Sequence, residues 1–353
     1  MEKVWWNMVT NASQMVTKII TCIKEGKSVL LELNRKVPWY DTLSEIISEE
    51  LTAYYADRSL KIVENLEGDP DEYLFNEFCK REKRAQYRPS IGYPAFLAQS
   101  DDIMLNQCII WAVDVDTEKV NKWCDFIDLY NRALGKGKTG CLFLIETREK
   151  VHIPEKKGLY YISYENMIEH YDNYLFNMIL SARLKESSLF KQYLAEVVSS
   201  MVPDDIELSA LCIQKGRKFL KNPIKEIEEI VNSNYRSDGS SFTFDNNADV
   251  LSKRLWEAQI KVIFPLLEKQ RNILISKYEK EIEPILPICV SYGDKVESVK
   301  DVEIGILSFM VGNGKLEVEQ QDRHKIAILK EARNKLAHIS VMTQNEIDEL
   351  LEL

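Results

Sequence analysis

Along the first half of the chain, short continuous apolar runs alternate with stretches whose apolar residues recur every three or four positions. The runs are "SVLLEL" (28–33), "LKIVEN" (60–65), "CIIWAVDV" (108–115), "GCLFLIE" (140–146) and "GLYYIS" (158–163). They are brief, rich in β-branched and aromatic residues, and bounded by polar or glycine-containing turns. The intervening segments, such as "DTLSEIISEELTAYYA" and "TEKVNKWCDFIDLYNRAL", have helical period, and the first carries Thr42 and Glu45 at capping-box spacing. Continuous apolar strands alternating with helices predict a mostly parallel sheet of about five strands, covered on both faces.

After about residue 164 the strand signals stop. "YENMIEHYDNYLFNMILSARLK", "SLFKQYLAEVVSSM" and "PIKEIEEIVNSN" read as amphipathic helices, followed by a polar segment, "NSNYRSDGSSFTFDNN" (232–247), that reads as a linker. A long helix from about 249 should be kinked or divided by Pro265. The pattern therefore divides into an α/β domain over 1–164, a helical connector over 165–235 and an all-α domain over 248–353.

Size and composition sharpen this only a little. At 353 residues, two domains can each bury a core, and 45% hydrophobic with 29% charged residues is ordinary for a soluble globular protein. A net charge of −10 argues against an unspecific nucleic-acid or membrane-surface binder, although the sum conceals local basic sites. The seven cysteines form no C-x-x-C pair, which suggests a reducing cytoplasm. The N-terminus lacks a signal-peptide pattern, and no apolar run is long enough to span a membrane.

Two glycine–lysine stretches, "EGKSVLLEL" and "GKGKTGCLFLIE", imitate a phosphate-binding loop. Such a loop follows a strand and opens a helix, whereas both of these precede a strand. For Gly137-Lys138-Thr139 the required earlier glycine is Arg132. Where the loop belongs, after the first strand, the chain reads "NRKVPWYD" without a glycine. The strand order resembles a P-loop-type ATPase domain, with "CIIWAVDVD" like a Walker-B strand; the resemblance implies a degenerate nucleotide site. Asp114, Asp116 and Glu146 fall near strand ends, where they could hold a metal ion for phosphodiester chemistry or simply solvate and cap. "KREKRAQYR" brings together Lys80, Arg81, Lys83, Arg84, Tyr87 and Arg88, which could grip an RNA backbone or form a solvated helix face.

The sharpest chemical signal is "LKEARNKLAHIS" (329–340). At 100° per residue, Ile326, Leu329, Ala332, Leu336 and Ile339 form a core stripe, with Arg333 on its flank and Asn334 and His338 together on the far side. Arg333 and His338 would then be about 140° apart, able to reach one phosphate if the helix bends or if another subunit completes the pocket. The spelling Arg333-Asn334-Lys335-Leu336-Ala337-His338, on a late helix of a helical domain, resembles the HEPN superfamily with its R-x(4–6)-H signature. The resemblance covers roughly 248–353. It implies paired domains in a homodimer and cleavage of RNA by attack of a ribose 2′-hydroxyl on the adjacent phosphate. In that scheme His338 handles protons, Arg333 neutralises growing phosphorane charge, Asn334 orients, and no metal or other cofactor is needed. It also implies a role as an effector in prokaryotic antiviral defence or a stress and toxin response, with the first domain a sensor or an assembly platform for other defence proteins. A non-catalytic scaffold subunit and a metal-dependent nuclease are the alternatives.

Overall fold

All five apolar runs of the first half become strands. β1 (Ser28–Glu32), β2 (Ser59–Glu64), β3 (Cys108–Val113), β4 (Leu142–Thr147) and β5 (Leu159–Ser163) form one sheet in the order β2-β3-β4-β1-β5, with every neighbouring pair parallel. The computed structural model describes residues 1–33, 36–64, 66, 68–100, 103–135, 138, 140–152, 156–289 and 295–353. Asn34 and Arg35 after β1, Asn65 after β2, and Gly137 and Thr139 of the second glycine–lysine turn lie outside these. The chain divides into two compact units, Met1–Asp172 and Asn173–Leu353.

Burial follows position in the first unit. β1 and β4, in the middle of the sheet, are buried at every residue, while the edge strand β2 is mostly exposed. Central strands of a parallel sheet are covered on both faces, which is why they read as unbroken apolar runs. One face carries Leu30, Ile110, Phe143 and Ile145, packed against Trp123, Phe126 and Tyr130 of the helix Thr117–Ala133 and against the helices Pro70–Phe78 and Tyr93–Gln99. Helices Thr10–Lys24 and Tyr40–Tyr54 pack on β1 and β2 respectively. Thr42 does not cap the latter: the helix begins two residues earlier, and the Thr42 hydroxyl instead donates to Glu2 (2.7 Å).

The second unit is built on one helix, Ala248–Lys277. Pro265 does not divide it. The proline removes the N–H that would bond the Lys261 carbonyl, but Pro265 and Lys261 both lie on the solvent side, where water can replace that bond. Helix Ser188–Met201 packs along it on one side and helix Gln320–Ala337 on another, while helices Ile304–Gly312 and Gln344–Leu351 pack on Gln320–Ala337. Of the segment read as a connector, 173–235 falls in the same compact unit as the C-terminal bundle.

Two further expectations fail here. The stretch 232–247 is no free linker: Arg236 is buried, pairs with the buried Asp205 and Glu207, and lies over the buried Phe242 ring. Strands also do not end at 164, because β6 (Ile288–Cys289) and β7 (Lys295–Val296) pair antiparallel. Among the described residues, no helix is long and apolar enough to cross a membrane.

Candidate active site

Helix Gln320–Ala337 buries Ile326, Leu329, Ala332 and Leu336, as its period requires. The stripe stops there. His338 is the C-cap, and Ile339 turns into left-handed backbone (φ 56°) with its side chain 66% exposed, so it is not a core residue. The Ser340 N–H closes back onto the Lys335 carbonyl (2.9 Å), the six-to-one bond of a Schellman ending. A β-branched residue in this backbone region is uncommon, and tertiary bonds hold it there. Trp256 donates its indole N–H to the Leu336 carbonyl (2.9 Å). Gln259 grips Met342 from both sides, accepting from its N–H (2.8 Å) and donating to its carbonyl (2.9 Å). Lys335 is ion-paired with Glu346, which forms a capping box with Thr343 at the start of the closing helix.

The loop 338–341 is therefore short, solvent-facing and clamped at both ends. His338 is the C-cap, its N–H still bonded within the helix, so its side chain leaves from the point where the helical path ends. Along the axis the two residues are separated by about 7 Å. Arg333 is half-buried and ion-paired with Glu303 (3.1 Å). It lines a groove of about 680 Å³ with Ile260, Phe264, Arg271, Lys300 and Glu303. Arg271 shapes that groove by donating to the Lys300 (3.3 Å) and Val302 (3.0 Å) carbonyls, which fixes the turn presenting Glu303. Asn334 is half-buried, and its carbonyl accepts from the His338 N–H (3.0 Å). The His338 side chain is exposed and has no hydrogen-bond or ion-pair partner among the described residues. The structure thus brings Arg333, Asn334 and His338 to one helix end without linking their side chains. Glu303, Arg271, Trp256 and Gln259 come from elements 30 to 80 residues away in the chain, and no sequence spacing marks them.

The three strand-end carboxylates do not gather. Glu146 is fully buried, accepting from Tyr40 Oη (2.8 Å) and Trp111 Nε1 (3.3 Å) and pairing with Arg148 (3.2 Å), whose guanidinium lies over the Tyr40 ring. Burial pushes the Glu146 carboxyl above the usual range against the opposing pull of Arg148. Asp116 caps helix Thr117–Ala133; the Lys119 N–H it accepts (2.8 Å) holds its carboxyl below the usual range. Asp114 is exposed on left-handed backbone (φ 52°). Among the described residues no three His, Cys, Asp or Glu side chains are grouped to hold a metal ion.

At the carboxyl end of β1 stands Glu32, buried and accepting from the Val151 N–H (2.9 Å), Tyr161 Oη (2.8 Å) and Ser163 Oγ (3.1 Å). It faces an open cleft of about 460 Å³ shared with Lys150, His152, Glu165 and Asn166. A fixed carboxylate at this point repels a phosphate rather than cradling it, in keeping with the missing glycines of "NRKVPWYD".

The basic segment forms a short helix, Arg81–Arg84, with flanking turns. Tyr87 is half-exposed within an aromatic cluster: it lies parallel to Tyr93 (centroids 4.6 Å, 13°) and against Phe75 and Phe96. His152, His170 and His324 are exposed.

No protein-family profile matches the chain, and no curated protein matches it. A solved structure of C. elegans PCH-2 is 11% identical with a TM-score of 0.26; the match covers 60% of this chain and 62% of that one. A likeness of that size says nothing about function.

Proposed function

We propose that the chain is a HEPN-type, metal-independent endoribonuclease whose HEPN-like domain is 248–353, within the unit Asn173–Leu353. The observation carrying this reading is the solvent-facing end of helix Gln320–Ala337, where Arg333, Asn334 and the exposed His338 share one clamped turn. In the reaction, the ribose 2′-oxygen forms a bond to phosphorus as the bond from phosphorus to the 5′-oxygen breaks. A base takes the 2′-hydroxyl proton and an acid returns one to the departing 5′-oxygen. Histidine exchanges its proton in the neutral range and suits either task, typically worth about 10²–10⁴-fold. The Arg333 guanidinium, exchanging the Glu303 carboxylate for a phosphate, would neutralise charge building on the phosphorane. One helix end offers one histidine, so a second copy of the chain would supply the partner for the other proton, making a homodimer the working unit.

The unit Met1–Asp172 fits a degenerate P-loop-type domain: its all-parallel sheet places β1 between β4 and β5, and Glu32 stands where phosphates would sit. A sensor or assembly role within an antiviral or stress-response system follows from such a pairing of units. One observation favours a non-catalytic scaffold instead: Arg333 is already neutralised by Glu303, and among the described residues no carboxylate is paired with the His338 imidazole. RNA cleavage in EDTA by the wild-type chain, abolished in Arg333→Ala and His338→Ala, supports the nuclease. No cleavage of any RNA by the folded chain, with partner binding intact, supports the scaffold.

A further inference from the structure

The chain carries five cations within residues 80–88 and one acid, Glu82, for a local charge of +4 inside a protein of −10. Several basic side chains elsewhere in the first unit are paired internally, although Lys3, Lys61, Lys150 and Lys157 are also exposed with no ion pair among the described residues. Lys119 pairs with Asp116, Lys122 with Asp69 and Glu118, Arg132 with Asp128, and Lys156 with Asp125. Lys80, Arg81, Lys83, Arg84 and Arg88 make no ion pair among the described residues; Arg84 reaches only the Asn76 amide (3.4 Å). Lys80, Arg81 and Arg88 are exposed and the other two half-exposed. Neighbouring like charges repel, so a polyanion laid along this run would be attracted to it.

Beside the cations stands a rigid aromatic plate. Tyr87 and Tyr93 are half-exposed and stacked, and Phe75 and Phe96 wedge them from below, so the rings lose little freedom when something lies on them. Ile91, 45% exposed, extends the apolar surface. Asp71, on the helix Pro70–Phe78, lies close enough to Tyr87 to act on its hydroxyl. A bare polyanion would need only the charges, and an anionic lipid surface would use an apolar residue that inserts. Planar guanidiniums next to a planar aromatic pair fit a strand that alternates phosphates with flat bases.

We propose that residues 80–93 form a binding surface for a single nucleic-acid strand, its phosphates on Lys80, Arg81 and Arg88 and a base against the Tyr87–Tyr93 pair. The surface belongs to the first unit and is independent of the cleavage reading. Neither backbone charge nor stacking reads the 2′-hydroxyl, so the site accepts RNA and DNA strands alike.

Fluorescence anisotropy tests this with labelled oligo-U and oligo-dT of about 20 nucleotides, in EDTA, on the full chain carrying His338→Ala so that no turnover intrudes. Single-strand binding loses about 0.7 in log–log salt slope per phosphate neutralised. The expected slope is about −2 for the three phosphate contacts, falling close to zero in the triple variant Lys80→Glu, Arg81→Glu, Arg88→Glu, whose side chains are exposed and do not bear on folding. Affinity near 0.1 M salt should fall at least about tenfold in that variant, and Tyr87→Ala should cost about 5-fold to 100-fold. Tyr87→Phe, which keeps the plate, should bind as wild type. An unchanged slope in the triple variant, or no binding of either oligonucleotide, would overturn the proposal while leaving the cleavage assay to be judged separately.

Discussion

Replacing Gln259 by leucine tests the claim that tertiary hydrogen bonds, rather than helix propensity, end helix Gln320–Ala337 and hold His338 in place. Gln259 is 1% exposed, and its amide makes three bonds: to the Met342 carbonyl (2.9 Å), from the Met342 N–H (2.8 Å) and to Tyr193 Oη (3.2 Å). Leucine fills nearly the same volume, so little cavity forms. It leaves the two Met342 backbone groups without partners at a residue that is 3% exposed. A buried group stripped of its partner costs about 1–3 kcal/mol. With some relaxation of the loop, the pair should cost about 3 kcal/mol. In urea, with a slope of about 2–3 kcal/mol/M, that lowers the unfolding midpoint by about 1 M. Trp256→Phe removes one bond at a half-buried site and should cost only about 1 kcal/mol. In the folded Gln259→Leu chain, any RNA cleavage should fall through kcat, since the loop bearing His338 loses one of its two clamps. A midpoint shift below about 0.3 M would refute the reasoning, because Met342 would then have another way to satisfy its backbone.

Two other outcomes follow from the same physics. Arg236→Met leaves the buried Asp205 carboxylate uncompensated and should destabilise by about 3–5 kcal/mol near pH 8, read by denaturant unfolding. Burial already raises the Asp205 carboxyl with Arg236 opposing, so the folded chain holds that proton more tightly than the unfolded one. Stability from this group is present at low pH and lost as pH rises through the raised value; the variant deficit should therefore shrink on acidification. Glu303→Gln frees Arg333 from an exposed pair worth about 0–1 kcal/mol, so any cleavage should show KM lowered by up to about fivefold with kcat little changed, measured by steady-state kinetics.

The sheet was legible because β1, β3 and β4 are buried on both faces and so carry unbroken apolar runs that need no partner information to recognise. The stretch 232–247 was not, since its polar composition hides Arg236 and Phe242, and the acids that bury them sit about 30 residues earlier. Strands β6 and β7 are two residues each and carry no period. Ile339 misled because it falls in register with Leu336 and Ala332, while the bonds that end the helix come from Trp256 and Gln259, 80 or more residues away. One local signal did exist: Thr343 and Glu346 spell a capping box, which leaves the preceding helix little room to continue. Thr42 and Glu45 spell the same spacing without capping anything, because the helix already begins at Tyr40 and Thr42 lies inside its first turn. Of the candidate site, Arg333, Asn334 and His338 could be read from spelling, but the groove that receives Arg333 is assembled from three separate helices and a turn.

The measurement that bears most directly on function is cleavage of a labelled single-stranded RNA by the intact chain in excess EDTA, followed alongside its oligomeric state. Products ending in 2′,3′-cyclic phosphate are expected from the wild-type chain, reduced at least about 100-fold in both His338→Ala and Arg333→Ala with folding intact. Products that vanish with EDTA, or that persist undiminished in His338→Ala, would contradict the nuclease reading.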